Sequence, residues 1–158
     1  MHPVHWYAFA CMLGACADPG PDSFGDDLTE TQLPARGTSD APAWLGAGYY
    51  RQWHCEATPH PARAPSPHGR NRICNNDALH AAPAGDFPAG AASVKEIFDG
   101  DGIATYAIAR KLTDGTGGDA WYWYEGNPGK TYANSEGADN CTGCHTRAPR
   151  DFVFTVVP

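Results

Sequence analysis

The sequence predicts an α+β fold, mainly antiparallel β-sheet with a few short helices, and three observations predict it. Gly and Pro are abundant, 18 and 14 of 158 residues, which favours short elements joined by turns over long helices. Residues 92–98 alternate, with Val94, Glu96 and Phe98 on one face and Ser93, Lys95 and Ile97 on the other. Asp99-Gly100-Asp101-Gly102 is a turn signal between that run and a second strand over residues 103–112, and strands joined by so short a turn pair antiparallel.

The elements follow in order. Residues 1–16 read as a leader. Residues 6–15 form an apolar run too short to span a bilayer as a helix, and Leu13-Gly14-Ala15-Cys16 resembles a lipoprotein processing box in which Cys16 carries lipid. Two His but no Lys or Arg precede the run, unlike an ordinary export signal, so a lipidated leader, a plainly cleaved one and a simple extension all stand. Residues 17–43 are rich in Asp, Pro and Gly and read as a solvated linker or tether. The folded domain is expected over residues 44–158.

Within that domain, residues 49–55 read as a helix running into a strand, 58–70 as a Pro- and His-rich loop, and 71–74 as a short strand. Residues 75–90 read as a turn-rich crossing. A Gly-rich turn over 113–119 leads to an aromatic strand at 120–124, whose alternating rings are expected half in the core and half at a partner surface. Residues 152–157 read as the closing strand.

The formal net charge of -7 argues against nucleic-acid binding, which needs a basic surface to displace counterions. It also leaves no cationic patch for a membrane surface.

The six cysteines carry the most information. Cys11 and Cys16 lie in the leader. Cys141-Thr142-Gly143-Cys144-His145 is the C-x-x-C-H signature of covalent haem attachment, in which two thiols add to the vinyl groups of one haem c and the following His binds its iron. In bacteria that attachment takes place outside the cytoplasm, which predicts an exported protein, periplasmic or held at the membrane as a lipoprotein. Cys55 and Cys74 are then free to pair as a disulfide. Two rivals remain. A structural zinc site would take Cys141 and Cys144 with Cys55 and Cys74, although the spacing of the latter is not that of a zinc knuckle. A redox dithiol would place C-x-x-C at the head of a helix in a β-α-β unit, whereas here it is expected in a polar loop before the last strand.

Met1 and Met12, both in the leader, are the only methionines. A mature chain would have none, so the His/Met ligation of electron-transfer cytochromes c is excluded. The sixth iron position falls to a second His, a Lys or an open site. His54, His60, His68 and His80 are the candidates, His68 foremost. An open site favours ligand binding or catalysis. Bis-His or His/Lys ligation favours a simple electron carrier.

The order of motifs resembles the cytochrome P-460 family. The resemblance rests on Tyr50-Arg51-Gln52-Trp53, on Phe87-Pro88-Ala89-Gly90 followed by Val94-Lys95-Glu96, on the aromatic strand around Trp121, and on C-x-x-C-H followed by Asp151-Phe152-Val153-Phe154-Thr155. It implies a mostly antiparallel sheet, a homodimer and a five-coordinate haem with a proximal His. One branch oxidises hydroxylamine and carries a Lys cross-linked to the haem edge. A sister branch, the cytochromes c′-beta, lacks the cross-link and binds nitric oxide or carbon monoxide. Lys95 falls where the cross-linking Lys would be. The distal carboxylate of the oxidising branch is expected on the next strand, but residues 105–110 contain none, which leaves Tyr106, a poor base near neutral pH, as the hydrogen-bonding candidate there. Hydroxylamine oxidation would also need a redox partner protein to take the electrons. Arg147 and Arg150 flank the haem motif and are candidates for pairing with haem propionates.

Overall fold

The structure, a computed structural model, describes residues 41–64 and 66–158. The leader with Cys11 and Cys16, both methionines and the linker up to residue 40 lie outside the described residues. No helix among the described residues is long and apolar enough to cross a membrane.

Six strands form one sheet in sequence order, every neighbour antiparallel. They are β1 (His54–Cys55), β2 (Asn71–Asn75), β3 (Ala92–Asp99), β4 (Gly102–Lys111), β5 (Trp121–Asn127) and β6 (Lys130–Glu136). The helices are short: α1 (Ala41–Ala47), α2 (Asp77–His80) and α3 (Asp139–His145), with a 3-10 turn at Tyr49–Gln52. The α+β class is as expected from the turn-rich composition. Helix α1 ends at Gly48, whose φ of 76° lets its N–H reach back to the carbonyls of Trp44 and Leu45. Residues 49–55 are indeed a helical turn running into a strand, which pairs with β2 and sets Cys55 opposite Cys74 in a disulfide.

The alternation on β3 decides which face each side chain takes. Cys74, Val94, Ile108 and Tyr124 stand in one row across β2 to β5, and Ile73, Lys95, Ala107 and Glu125 stand in the adjacent row on the opposite face. The first face packs against α1 and the 3-10 turn, with Trp44, Leu45, Tyr50, Val94, Ile108, Tyr122 and Tyr124 as its core. The second face packs Leu79, Phe87, Trp121, Trp123 and Val153 beneath α3 and the C-terminal segment. Both faces are therefore covered. All four rings of Trp121–Tyr124 are buried, none at a partner surface, because each face of the sheet has its own layer.

Three further expectations are corrected. A strand at β6 follows the tight Asn127–Lys130 turn, where no strand was expected; its residues are mostly exposed and polar, so it lacks the alternating apolar signal. The C-x-x-C-H motif lies on a helix, α3, not in a loop. Residues 152–157 do not form a strand. Arg150 and Val153 make a single bridge around a tight turn, closed by the Val153 N–H to the Arg150 carbonyl at 2.7 Å, with Asp151 and Phe152 at φ 36° and 65°. Positive φ at both central residues is the geometry of a two-residue hairpin turn that usually takes Asn-Gly or Asp-Gly. A Phe at the second position hides that turn from sequence patterns.

Candidate functional site

Helix α3 puts Cys141, Cys144 and His145 on one face, since residues three and four apart are neighbours on a helix surface. That face lines a cavity of about 380 Å³ between α3, the second face of the sheet and the loop over residues 58–70. Its walls are largely apolar, with Ile73, Ala107, Ala109, Trp123 and Phe154 among them, and Arg63, His68, Lys95 and Glu125 supply polar groups. Such a concave, mainly apolar site with a few converging polar groups is how ligand sites are built.

His145 is held from three sides. Its ring meets Trp123 edge-on at 4.7 Å and Phe154 at 5.2 Å, and its Nδ1 lies 2.7 Å from the Phe152 carbonyl oxygen. A carbonyl only accepts, so Nδ1 carries the proton and Nε2 is the free, basic nitrogen, as in a metal-binding imidazole. Burial lowers the His145 pKa, the Phe152 carbonyl works the other way, and the Lys95 charge lowers it further. Neutral imidazole is the ligating form.

The two thiols of the motif are free and only partly buried. Burial pushes the Cys141 thiol up to about 11, with the Glu125 charge adding to the shift, so Cys141 stays a thiol at neutral pH. Two thiols and one fixed imidazole on a single helical face beside an apolar cavity fit a covalently attached haem. Zinc does not fit as proposed, because Cys55 and Cys74 are bonded to each other, and no group of three or more His, Cys, Asp or Glu among the described residues could hold a metal ion. A thioredoxin-like dithiol also lacks its context, since the strand before α3 pairs antiparallel and no parallel β-α-β unit exists in the sheet.

Lys95 faces the cavity from β3, on the row shared with Ala107 and Glu125. Burial and the Arg63 charge bring its pKa down to about 8, against the opposing pull of Glu125, Glu56 and Cys144. A useful fraction of neutral, nucleophilic amine thus exists near neutral pH. Glu96 lies on the other face of the strand, as the alternation requires, where Arg72 binds it at 2.7 and 3.0 Å. Tyr106 also lies there, opposite Glu96 in register and edge-on to Tyr50 at 6.2 Å. Tyr106 is therefore on the wrong side of the sheet to serve the cavity.

No carboxylate from β4 lines the cavity, but one from β5 does. Glu125 lines the cavity from β5, and its pKa is raised by burial, with Lys95 opposing. The ladder to β6 shifts register between Glu125 and Gly126, with the extra residue, Tyr132, on β6, while Glu125 keeps its regular place opposite Ala107. Gly126 allows the shift, because a Cβ there would come within 2.8 Å of the Lys130 carbonyl. Sequence reading missed Glu125 because the aromatic strand was ended at Tyr124. Extending the alternation one residue from Trp121 and Trp123 would have placed it on the cavity face.

His68 enters from the loop, its Nδ1 3.8 Å from Glu125 Oε1. Burial, then the Lys95 and His145 charges, lower its pKa to about 4, so it is neutral at physiological pH. The loop is held over the site by reciprocal backbone bonds between His60 and Asn71 and by Arg63, which donates to Glu56 and to Asn71 Oδ1. The other candidate histidines are elsewhere. His54 stacks on His80 at 3.6 Å, and His60 is exposed near Glu56. Arg150 donates to the carbonyls of Ala82, Pro83 and Gly85 and lies over the Phe87 ring, and Arg147 is on the surface near Cys144.

Comparison of the chain with protein-family models, with curated proteins and with solved structures finds no match.

Proposed function

We propose that the protein is an exported mono-haem c-type cytochrome, resembling the cytochrome P-460 family in fold and site, that oxidises or reversibly binds a small nitrogen compound such as hydroxylamine or nitric oxide. The observation that carries the reading is the convergence of Cys141, Cys144 and His145 with Lys95 and Glu125 on one cavity. A haem held there supplies an iron that accepts electrons from, or binds, a small ligand.

The chain's own residues have distinct parts in this reading. Cys141 and Cys144 would hold the haem through two thioethers, and His145 would present Nε2 to its iron while the Phe152 carbonyl fixes its tautomer. Lys95 is the amine that would bond the haem edge. That bond would replace one N–H and one C–H by C–N, the two hydrogens and two electrons leaving to an oxidant of the peroxide class, which becomes water. Glu125, whose carboxyl is kept more basic than usual by burial, takes protons from a bound N–H or O–H. Ile73, Ala107 and Ala109 are apolar parts of the wall around it. Oxidation of hydroxylamine is the better-supported of the two outcomes, because a carboxylate placed to move protons is present beside the cavity and binding alone would not call for one.

The His68 side chain favours a second reading, an electron carrier with bis-His ligation, since it shares the cavity with His145. The test is the absorption spectrum of the full chain matured in a bacterial periplasm, oxidised and then reduced with dithionite. A broad high-spin ferrous spectrum, strongly red-shifted from ordinary c-type haem and accompanied by a covalent adduct two hydrogens lighter than chain plus haem, is the expected result. A conventional five-coordinate spectrum removes the cross-link and leaves gas binding. A low-spin six-coordinate spectrum that collapses in His68→Ala selects the electron carrier. Absence of haem from competently matured protein overturns the proposal.

A further inference from the structure

The cavity face holds one buried ion pair that the proposed chemistry does not use. Lys111, at the end of β4, and Asp151, beyond α3, have side chains 0% and 2% exposed, and Lys111 Nζ donates to both carboxylate oxygens at 2.9 and 2.8 Å. Asp151 also accepts from the Phe87 backbone N–H at 2.9 Å and from Trp121 Nε1 at 3.2 Å. The carboxylate is thus saturated by donors from three separate elements. A buried pair so fully bonded is costly to desolvate, and hydrophobic replacements of similar volume are often no less stable, so stability alone does not explain its presence.

Its position gives a reason. Asp151 and Phe152 are the two central residues of the Arg150–Val153 turn and the only described residues other than glycine with positive φ. A bulky Phe in that region persists only where the surroundings over-determine it. The carbonyl of that same Phe152 is the acceptor 2.7 Å from His145 Nδ1. The clamped carboxylate and the carbonyl that orients the imidazole therefore belong to adjacent residues of one turn.

We propose that Lys111 and Asp151 are positioning residues: together they lock the Asp151–Phe152 turn so that the Phe152 carbonyl holds His145 in its Nδ1–H tautomer and strengthens Nε2 as a donor. This rests on the haem reading for its consequence at iron, though not for its geometry. A firmer Nδ1–H···O=C bond makes the imidazole more electron-donating and stabilises the ferric over the ferrous state.

The variant to test is Lys111→Met combined with Asp151→Asn in the full chain, matured in the periplasm. Removing both charges avoids leaving one buried and unpaired, and Asn keeps an acceptor for one of the two remaining donors, the Phe87 N–H on Oδ2 or Trp121 Nε1 on Oδ1, so the turn loses part of its anchoring. The expected result is a folded, haem-loaded protein whose midpoint potential is higher than wild type and whose ferrous iron–imidazole stretching frequency is lower. An unchanged potential and stretching frequency overturns the proposal and leaves the pair a purely structural clamp. Should the double variant fail to fold, Asp151→Glu keeps the charge but lengthens the arm so that the turn must shift, and it is read in the same way. If even the wild type takes up no haem, the functional reading falls separately. The positioning is then read from the nitrogen-15 shifts of the His145 ring: the Nδ1–H tautomer in wild type and its loss in the variant support the proposal, and the same tautomer in both overturns it.

Discussion

The two faces of the sheet are made from the same strands, yet they treat polar groups in opposite ways. Against α1, Glu96 is completely buried and fully answered: Tyr50 Oη donates to it, Arg72 binds it through two nitrogens, and Arg51 approaches at 3.4 Å. Burial alone would raise its pKa, but the Arg72 and Tyr50 hydrogen bonds and the arginine charges bring it below the ordinary carboxylate value. On the cavity face, one residue away along β3, Lys95 is shifted down, and Glu125 on β5 is shifted up. Both move towards their neutral forms. The first face uses charge to join elements, whereas the cavity itself withholds full compensation from Lys95 and Glu125, the bonded Lys111–Asp151 pair lying outside its lining. Ionisable groups shifted towards their neutral forms in a cleft are candidates for moving protons.

The largest break in this comparison comes from Glu125→Gln. If Glu125 is the proton acceptor, hydroxylamine oxidation by the matured protein falls by roughly 100- to 10,000-fold. Stability at pH 7 changes by no more than about 1 kcal/mol, because the amide replaces a carboxylate that burial already disfavours. Steady-state kinetics with urea unfolding measures both. Oxidation at the wild-type rate would remove Glu125 from the mechanism.

Glu96→Gln should reverse the pattern. Leaving Arg72 without its partner costs about 3 kcal/mol of folding stability, while the haem spectrum stays as in wild type. The pH dependence has a definite sign. With its folded pKa depressed, Glu96 binds more protons in the unfolded state, so its contribution is fully present above about 4.5 and is lost as the pH falls below that towards its folded value. Urea midpoints from pH 6 to pH 3 should therefore fall less steeply in Glu96→Gln than in wild type.

How much of this was legible in the sequence follows from which signals are local. The β3 and β4 strands, their turn and the opposite faces of Lys95 and Glu96 follow from alternation, which a one-residue slip would have inverted. Cys141, Cys144 and His145 are legible because the motif is contiguous. Glu125 needs only the alternation of Trp121 and Trp123 carried one step past the aromatic run, whereas His68 has no local pattern, because a long loop brings it to the cavity. Tyr106 follows from strand order alone, and the pleat that turns Lys95 towards the cavity turns Tyr106 away from it. The final segment was misread because Phe152-Val153-Phe154 has strand composition, while the Lys111–Asp151 clamp far away in sequence imposes a turn.

An effect of similar or smaller size should follow from Cys55→Ser with Cys74→Ser. The bridge closes a loop of 19 residues, worth about 3 kcal/mol on the chain-entropy model and less where the unfolded chain retains structure. It joins β1 to β2 at the edge of the sheet, so the loss should appear in thermal unfolding and leave the ferrous spectrum of the cavity alone. A spectral change would mean that the edge sets the geometry of the loop carrying His68.

The smallest effect sharpens the contrast most. On the first face, Tyr124 is buried in the core, and its hydroxyl has no hydrogen-bond partner among the described residues. Burial raises its pKa, so it stays a neutral phenol. A functional residue and a packing residue predict different results when that hydroxyl is removed. For a packing residue, Tyr124→Phe deletes a polar group that lost its water on folding and regained nothing, so stability should stay level or rise by up to about 1 kcal/mol, with kinetics and spectrum unchanged. For a functional residue, turnover would fall without any gain in stability. The neighbouring Glu125 differs by one position and hence by one face. If Tyr124→Phe is silent in turnover while Glu125→Gln is not, the pleat alone separates the structural side of β5 from its chemical side.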